Sequence, residues 1–599
     1  MSKEYIVSFR VFVLAFLLRF AYLNFLLSTP FFQPYGLDSA FFHSLAKQII
    51  EGVSSRYVFV SLPLYPYFLA FVYKLSNANI YFAYLVQIFL SSLSCSLIYL
   101  IGKRTFGGKV GVVSALISCF YGMFIFYSCI LVGITLGIFL SLLAILLLLR
   151  KEKEGEEEIL PFPNSFLRFS CAGLILGLSS LVRAGIFLFF LLLIFYLLLK
   201  RVKKTLLLTF ALFFLISPTI VLIRNYRISK EWLLTAHSGV NFYLANNPKA
   251  EGKFQGLLGR TCKEILENAR LIAERRTGRS LTLEQASKFW QREAMRFIRE
   301  HPSEFLFLFL KKFFIFYQAR EIPDLISYFF LRKYSLSFLK LPFVSLRLVL
   351  PLAILGFLLT LRRQNLILHL FWLSQNLSLS LFWVNTRYRL LTVPVFIIFA
   401  SFSLLWLRER IKRRERRKTL VFLSALLIFA LLVNLKKEEN NNQKAIFHYN
   451  TALAYSQVKE YNKAIQELNE ALLLENKPSK FSSWIFEALG TVYYQKGEKS
   501  KAKEYFKKAL KIYPQPDAHH NLGFIYQEEG KMFLAKQEYK RAINLNPHYP
   551  PAHYKLSQIY LEEGRVELAL KEIEEVLKEL PESREAKELW EKIKQRLRK

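Results

Sequence analysis

Long apolar runs recur through roughly the first 435 residues, and this constrains the chain more than any other feature. Residues 5–27, 81–101, 130–149, 186–199, 205–223, 343–361 and 420–433 are such runs. They approach or exceed the roughly 20 apolar residues that cross a bilayer, and no soluble core needs so many. Beyond about residue 435 the runs stop and charged residues take over. The chain therefore has two solvents to satisfy, lipid first and water afterwards.

The formal charge of +36 raises the question of a nucleic-acid partner. Much of the Lys and Arg sits in short loops between apolar runs: Lys103-Arg104, 200–204, Arg362-Arg363 and 408–418. Such a distribution orients spans, with basic loops inside, and anionic lipid headgroups are the neighbours it fits. No nucleic acid is implied. Four of the five cysteines lie in apolar stretches and Cys262 stands alone in a polar one, which implies neither a disulfide framework nor a zinc site.

With the basic loops inside, the first run goes outward, residues 28–79 lie outside, and alternating spans continue to about Arg224. The stretch 151–158 falls inside and 224–340 outside. Residues 303–316 are apolar but short and carry Lys311-Lys312. A crossing there would put both later basic clusters outside, so this stretch is expected to lie in the outer interface. Four more spans make about eleven. The chain then emerges outside.

Residues 436–444 include Glu-Glu-Asn-Asn-Asn, too polar to pack, and read as a linker. Beyond it Leu489-Gly490, Leu522-Gly523 and Leu556-Ser557 recur at close to the roughly 34-residue period of tetratricopeptide repeats. Ala502, Ala535 and Ala569 keep the same period, as do Pro514, Pro547 and Pro581. Small residues let two helices of a pair cross closely, and Pro ends the second helix. A slightly longer copy ahead of these brings the array to about four repeats, enough for a stable stack. The expected fold is all-α: a polytopic membrane domain over residues 1–435, then a tetratricopeptide α-solenoid over 445–599.

Asp38 precedes a helix whose apolar face is Phe42, Leu45, Ala46 and Ile49. An Asp there caps a helix or serves as a general base at the membrane surface; one residue can do both. Arg387 and Arg389 stand at the outer end of a span, where a guanidinium fork matches phosphate oxygens or snorkels at the interface. Arg224 carries the same two readings. Arg19 and Arg183, within or beside apolar runs, point to a buried polar site, since ionisable residues at such depth face cavities; snorkelling is the rival reading for Arg19. His43 reads as a helix-face residue near the site rather than a second base. Residues 241–247 read as an Asn-rich turn or as a hold on substrate.

The segment 37–46 (Leu-Asp-Ser-Ala-Phe-Phe-His-Ser-Leu-Ala), followed by Pro63-Leu64-Tyr65-Pro66, resembles the first extracytoplasmic loop of GT-C glycosyltransferases. The branch is that of protein O-mannosyltransferases and the lipid A aminoarabinose transferase, and more narrowly of bacterial members with C-terminal tetratricopeptide repeats. The resemblance continues through Arg224-Asn225-Tyr226, residues 238–243, Asn246-Asn247, His301-Pro302, Lys312, Glu321-Ile322-Pro323 and Arg387-Tyr388-Arg389-Leu390.

It implies an integral glycosyltransferase of the plasma (inner) membrane, moving a hexosyl or pentosyl group from a polyprenyl-phosphate donor to a protein or glycolipid acceptor outside. Asp38 is then the catalytic residue. Arg387, Tyr388, Arg389, Arg224, Asn225, His43, Tyr65, Lys312 and Arg183 bind lipid phosphate or sugar. A single base without a second nucleophile fits inversion. The repeats, on the same side, present a concave surface for a protein partner. Many relatives carry a second acidic residue in a Phe-Tyr-Glu pattern, where this chain reads Phe126-Tyr127-Ser128. No metal ligand is therefore carried over, and a divalent ion, Mg or Mn, is left open. A non-catalytic repeat scaffold and a lipid-linked-glycan ligase or transporter stay as rivals; the last would show an internal repeat among its spans, which is absent.

Overall fold

The structure is a computed structural model describing residues 3–34, 36–52, 58–149, 165–252, 262–323, 327–334, 337–362, 366–435, 441–581 and 583–598. The expected inside stretch 151–158, residues 436–440 of the expected linker, Arg363 and Asp324 lie outside the described residues. The chain divides into two compact units, Met1–Lys437 and Glu438–Lys599.

In the first unit the helices are α1 (Lys3–Leu27), α2 (Gly36–Ile50), α3 (Leu64–Ser76), α4 (Ile80–Phe106), α5 (Gly108–Cys119), α6 (Gly122–Tyr127), α7 (Ile134–Leu148), α8 (Ser165–Ser180), α9 (Gly185–Leu199) and α10 (Lys204–Ser229). They continue as α11 (Ser238–Ala245), α12 (Cys262–Thr277), α13 (Leu283–Glu300), α14 (Pro302–Phe316), α15 (Tyr328–Tyr334), α16 (Leu346–Thr360), α17 (Ile367–Leu381), α18 (Thr386–Arg389), α19 (Val393–Lys412) and α20 (Arg416–Asn434). By length and composition α1, α4, α10 and α20 can each cross a membrane, and α5, α7, α8, α9 and α16 are shorter apolar helices. Of the about eleven spans read from hydropathy, the first four named have helices long and apolar enough to cross among the described residues. On α20 the large side chains Leu420, Val421, Leu427 and Leu431 face outward, as on a helix solvated by lipid.

Small residues bring the helices together. A Cβ on Gly173 or Gly177 would lie 2.4 and 2.3 Å from the carbonyl oxygens of Phe210 and Phe214, so α8 meets α10 backbone to backbone, as small-xxx-small faces do in membranes. Arg19 is fully buried between α1 and α4. Its Nε donates to Ser91 Oγ (2.7 Å) and its Nη1 to the Ala15 carbonyl (3.0 Å). It neither snorkels nor joins the site described below; it ties two helices together.

At the end of α4, Lys103 pairs with Glu4 at 3.2 Å and Arg104 donates to the Leu146 carbonyl at 3.1 Å. The helix α14 presents Leu306, Phe307, Leu310 and Phe314 outward while Leu308, Lys312, Ile315 and Phe316 are buried. An outward face of that kind suits a helix lying in an interface.

The second unit is an array of helix pairs: α21 (Asn441–Gln457) with α22 (Tyr461–Glu475), α23 (Lys480–Gln495) with α24 (Lys499–Ile512), α25 (Pro516–Glu528) with α26 (Met532–Leu545), and α27 (Pro550–Glu562) with α28 (Val566–Glu579). A final helix, α29 (Arg584–Leu597), closes it. Residues 441–444, read above as linker, belong to the first turn of α21. Close crossing explains the Leu-Gly positions, since a Cβ on Gly490 would meet the Phe506 ring at 2.6 Å.

One regularity escaped the sequence reading. In three pairs a buried or half-buried His on the first helix meets a Glu nineteen residues on: His448 with Glu467 (2.7 Å), His519 with Glu538 (2.6 Å) and His553 with Glu572 (2.6 Å). For His553 burial alone would lower the pKa, but the hydrogen bond to Glu572, the Pro547 carbonyl and the carboxylates of Glu572 and Glu575 together lift it above 6.5. A raised imidazole pKa adds stability that is complete below the unfolded value and is lost as pH rises through the folded one. Amide exchange of α27 and α28 in the intact chain is therefore expected to accelerate above about pH 6.5 beyond its intrinsic pH dependence. The excess should vanish in His553→Gln; an equal excess in that variant would refute the assignment.

Candidate active site

Asp38 stands in the first turn of α2. Its carboxylate is not left to a capping role, because Arg387 Nη1 donates to Asp38 Oδ2 across 349 residues. Both side chains keep some exposure, 17% for Asp38 and 13% for Arg387, so the pair is reachable from solvent. Tyr388 completes a stack: the Arg387 Cζ lies 5.1 Å and the Arg183 Cζ 4.3 Å from its ring centre. Cations over an aromatic face are attracted by its quadrupole. Two guanidinium groups against one carboxylate give this cluster a positive excess, which suits an anionic ligand.

These side chains come from three separate connections, at the start of α2, between α8 and α9, and between α17 and α19. Alternating spans would place all three at the same end of the bundle.

The segment carrying Arg387 is held rigidly. Asn385 caps α18, accepting from Tyr388 N at 2.7 Å. Thr386 N–H donates to the Ile322 carbonyl (2.8 Å) while Ile322 N–H donates to Thr386 Oγ1 (2.7 Å). Arg389 is 1% exposed and points away from Asp38. Its Nη1 donates to the carbonyls of Phe316 (3.2 Å) and Gln318, and its Nη2 to that of Arg320 (2.8 Å). Glu321, from the Glu-Ile-Pro motif, starts α15 by accepting from Tyr328 N at 2.7 Å and Phe329 N at 3.1 Å.

Of the expected ligand-binding residues, the structure thus gathers Arg387, Tyr388 and Arg183 around Asp38 and uses the others as braces. Asn225 Nδ2 donates to the carbonyls of Leu233 (2.8 Å) and Leu234 (3.0 Å). Arg224 donates to Asn225 Oδ1 at 3.0 Å and lies 3.9 Å over the Phe59 ring. Tyr65 Oη donates to Gln87 Oε1 at 2.9 Å. His43 Nδ1 lies 2.6 Å from Tyr73 Oη, joining α2 to α3. Lys312 is buried, donating to the Ala245 carbonyl (2.8 Å) and Asn246 Oδ1 (3.0 Å), and burial pulls its ammonium down to about 7. Residues 238–245 form a helix rather than the expected turn, because Asn246 and Asn247 turn their amides back onto its last carbonyls.

Ser128, where many relatives have an acid, donates to the Ile125 carbonyl at 2.6 Å, and its own carbonyl accepts from Gln87 at 3.2 Å. Among the described residues no three His, Cys, Asp or Glu side chains gather. The Asp38 carboxylate is met by Arg387.

Residues Phe59, Ala236 and His237 carried no sequence signal of their own, yet Ala236 N–H donates to the Phe59 carbonyl and His237 lies within electrostatic reach of Asp38. Only the fold brings them there.

The brace formed by Arg389 is testable. Arg389→Met strands carbonyls in a buried loop, each at a cost of about 1–3 kcal/mol, so the melting temperature in lipid nanodiscs is expected to fall. An unchanged melt would exclude the brace.

Fold and cluster together define an all-helical unit with membrane-length apolar helices, followed by tetratricopeptide repeats. Residues 61–223 match the family of dolichyl-phosphate-mannose-protein mannosyltransferases, and residues 443–515 and 526–593 match tetratricopeptide repeat families. No curated protein matches the chain. Among solved structures it is similar to ArnT of Cupriavidus metallidurans bound to undecaprenyl phosphate, at 13% identity and TM-score 0.39, over 88% of this chain and 79% of that one. It is similar also to the archaeal oligosaccharyltransferase AglB of Archaeoglobus fulgidus, in complex with an inhibitory peptide and a dolichol-phosphate, at 14% identity and TM-score 0.38, over 85% and 60% of the two chains. The repeats are similar to YrrB, a tetratricopeptide protein with a peptide-binding site, at 18% identity and TM-score 0.21, over 30% and 86%. These scores assign no residue of this chain a role.

Proposed function

We propose that the chain transfers a sugar from a polyprenyl-phosphate donor to a hydroxyl of a protein or glycolipid acceptor on the outer face of the plasma membrane, with inversion at the anomeric carbon. The single observation that carries this reading is the Asp38–Arg387 pair flanked by Arg183 and Tyr388, a base and two phosphate-matching cations in one place. Asp38 takes the proton of the acceptor hydroxyl as its oxygen bonds to the anomeric carbon. The bond from that carbon to the donor phosphate breaks, and the phosphate leaves with its electron pair as polyprenyl phosphate. Arg387 and Arg183 stabilise the charge that develops on it. Arg387 also keeps the Asp38 carboxylate oriented, having donors enough for both tasks.

The membrane region 1–435 carries this chemistry, and the repeats from 445 to 599 lie on the same side, where they hold the acceptor or an assembly partner. The test is consumption of a panel of radiolabelled polyprenyl-phosphate sugars by the purified chain in lipid, with peptide and glycolipid acceptors present. Release of polyprenyl phosphate from one donor supports the reading. Consumption of none makes the chain a membrane-anchored scaffold.

A further inference from the structure

The loop 230–237 is fastened at several points, and what it delivers is His237. Asn225 holds the carbonyls of Leu233 and Leu234 from α10. The Ala236 N–H donates to the Phe59 carbonyl at 2.8 Å, and Arg224 packs on the Phe59 ring. Just past the loop, Gly239 N–H donates to Ser287 Oγ at 3.0 Å, and a Cβ on Gly239 would lie 1.9 Å from the Ser287 carbonyl. Glycine is required for α11 to seat on α13 so closely. Two residues that resemble family motif positions, Arg224 and Asn225, thus serve to place an imidazole.

His237 is 8% exposed, and among the described residues its buried Nε2 has no hydrogen-bond partner. Buried polar atoms are nearly always partnered, and an exception calls for a ligand or a water. Burial outweighs the attraction of the Asp38 charge and pulls the imidazole pKa to about 4. The ring is therefore neutral at physiological pH, with one nitrogen donating and the other accepting. A neutral imidazole matches a hydroxyl, which also donates and accepts. An anionic phosphate is the business of the neighbouring arginines.

We infer that His237 is a substrate-binding residue whose Nε2 hydrogen-bonds a substrate hydroxyl held against Asp38. The inference rests on the proposed sugar transfer. The hydroxyl belongs either to the donor sugar or to the acceptor, and kinetics separate the two. The donor is whichever polyprenyl-phosphate sugar the native chain consumes; its hydrolysis without acceptor reports on donor binding alone, and transfer to a Ser/Thr peptide or a glycolipid reports on the acceptor.

His237→Phe is expected to raise KM by about tenfold to a hundredfold, the effect of leaving one buried hydrogen bond unmade. His237→Gln, whose amide supplies a donor and an acceptor, should return to within about threefold of native. A raised donor KM in hydrolysis assigns the bond to the sugar; unchanged hydrolysis with a raised acceptor KM assigns it to the acceptor. Neither variant should add an inflection to the pH profile between about pH 5 and 8, since the ring does not titrate there.

A His237→Phe chain matching native in both reactions overturns the inference. Equal impairment of Phe and Gln variants with intact melts also overturns it, because packing would then be the cause. Independently of any variant, the Nε2 resonance of His237 in selectively labelled native protein must shift when the donor is added without acceptor, or with the acceptor peptide or glycolipid; no shift in either case refutes the contact. Turnover by native chain with unaltered His237→Phe kinetics defeats this inference alone, whereas no turnover by native chain defeats the reading beneath it.

Discussion

Asp38→Asn is expected to slow sugar transfer by about 10²–10⁴-fold, the usual contribution of a positioned general base. The change is isosteric, so α2 and its packing on α3 survive, and the amide still accepts from Arg387. What is lost is the ability to take a proton from the attacking hydroxyl. Arg387, no longer neutralised by a carboxylate, keeps its charge for the donor phosphate, so donor affinity should be unchanged or tighter. Measuring both quantities in lipid separates the readings: lost turnover with retained donor binding marks the base, while loss of both marks a collapsed site. Turnover within about threefold of native would remove Asp38 from the chemistry.

Arg387→Ala is expected to lower transfer by about 10²–10³-fold, the scale on which removal of a preorganised charge partner acts. Arg387→Lys should recover little of it. Lysine offers a point charge on a flexible stem, whereas the guanidinium fork spans two acceptors and lies against the Tyr388 ring. Because Arg387 also orients Asp38, the double variant Asp38→Asn with Arg387→Ala should fall well short of the product of the two single losses. Strict multiplicativity would show that the two side chains act independently and that their pairing is structural only.

Much of the architecture was legible because the signals are local. An apolar run declares a membrane span by its length and composition, and a tetratricopeptide array declares itself by its period. Asp38 and the Arg387 segment were singled out by residue type and by resemblance, and the structure brings the two side chains together. The same logic offered Arg389, Asn225 and Lys312 as ligand contacts, and the structure gives each of them backbone carbonyl partners. All three carry strong donors, and sequence cannot tell whether a donor faces a cavity or a carbonyl.

The carbonyls that occupy Arg389 belong to Phe316, Gln318 and Arg320, some seventy residues away in the chain. Only folding brings them there. His237 illustrates the converse: nothing around it in the sequence marks it, and its meaning comes from Asn225, Phe59 and Asp38, each on a different element. The His–Glu pairs of the repeats fall between the two cases, periodic once seen, yet recognisable only when both helices of a pair face each other.

By itself, then, the sequence determined which stretches prefer lipid, which stack as repeats, and which residue types are available for acid–base and phosphate chemistry. The tertiary structure alone decided which of those side chains meet, because hydropathy and period are properties of neighbours along the chain. Which polar group is left without a partner depends on surfaces that come together only when all the helices have packed.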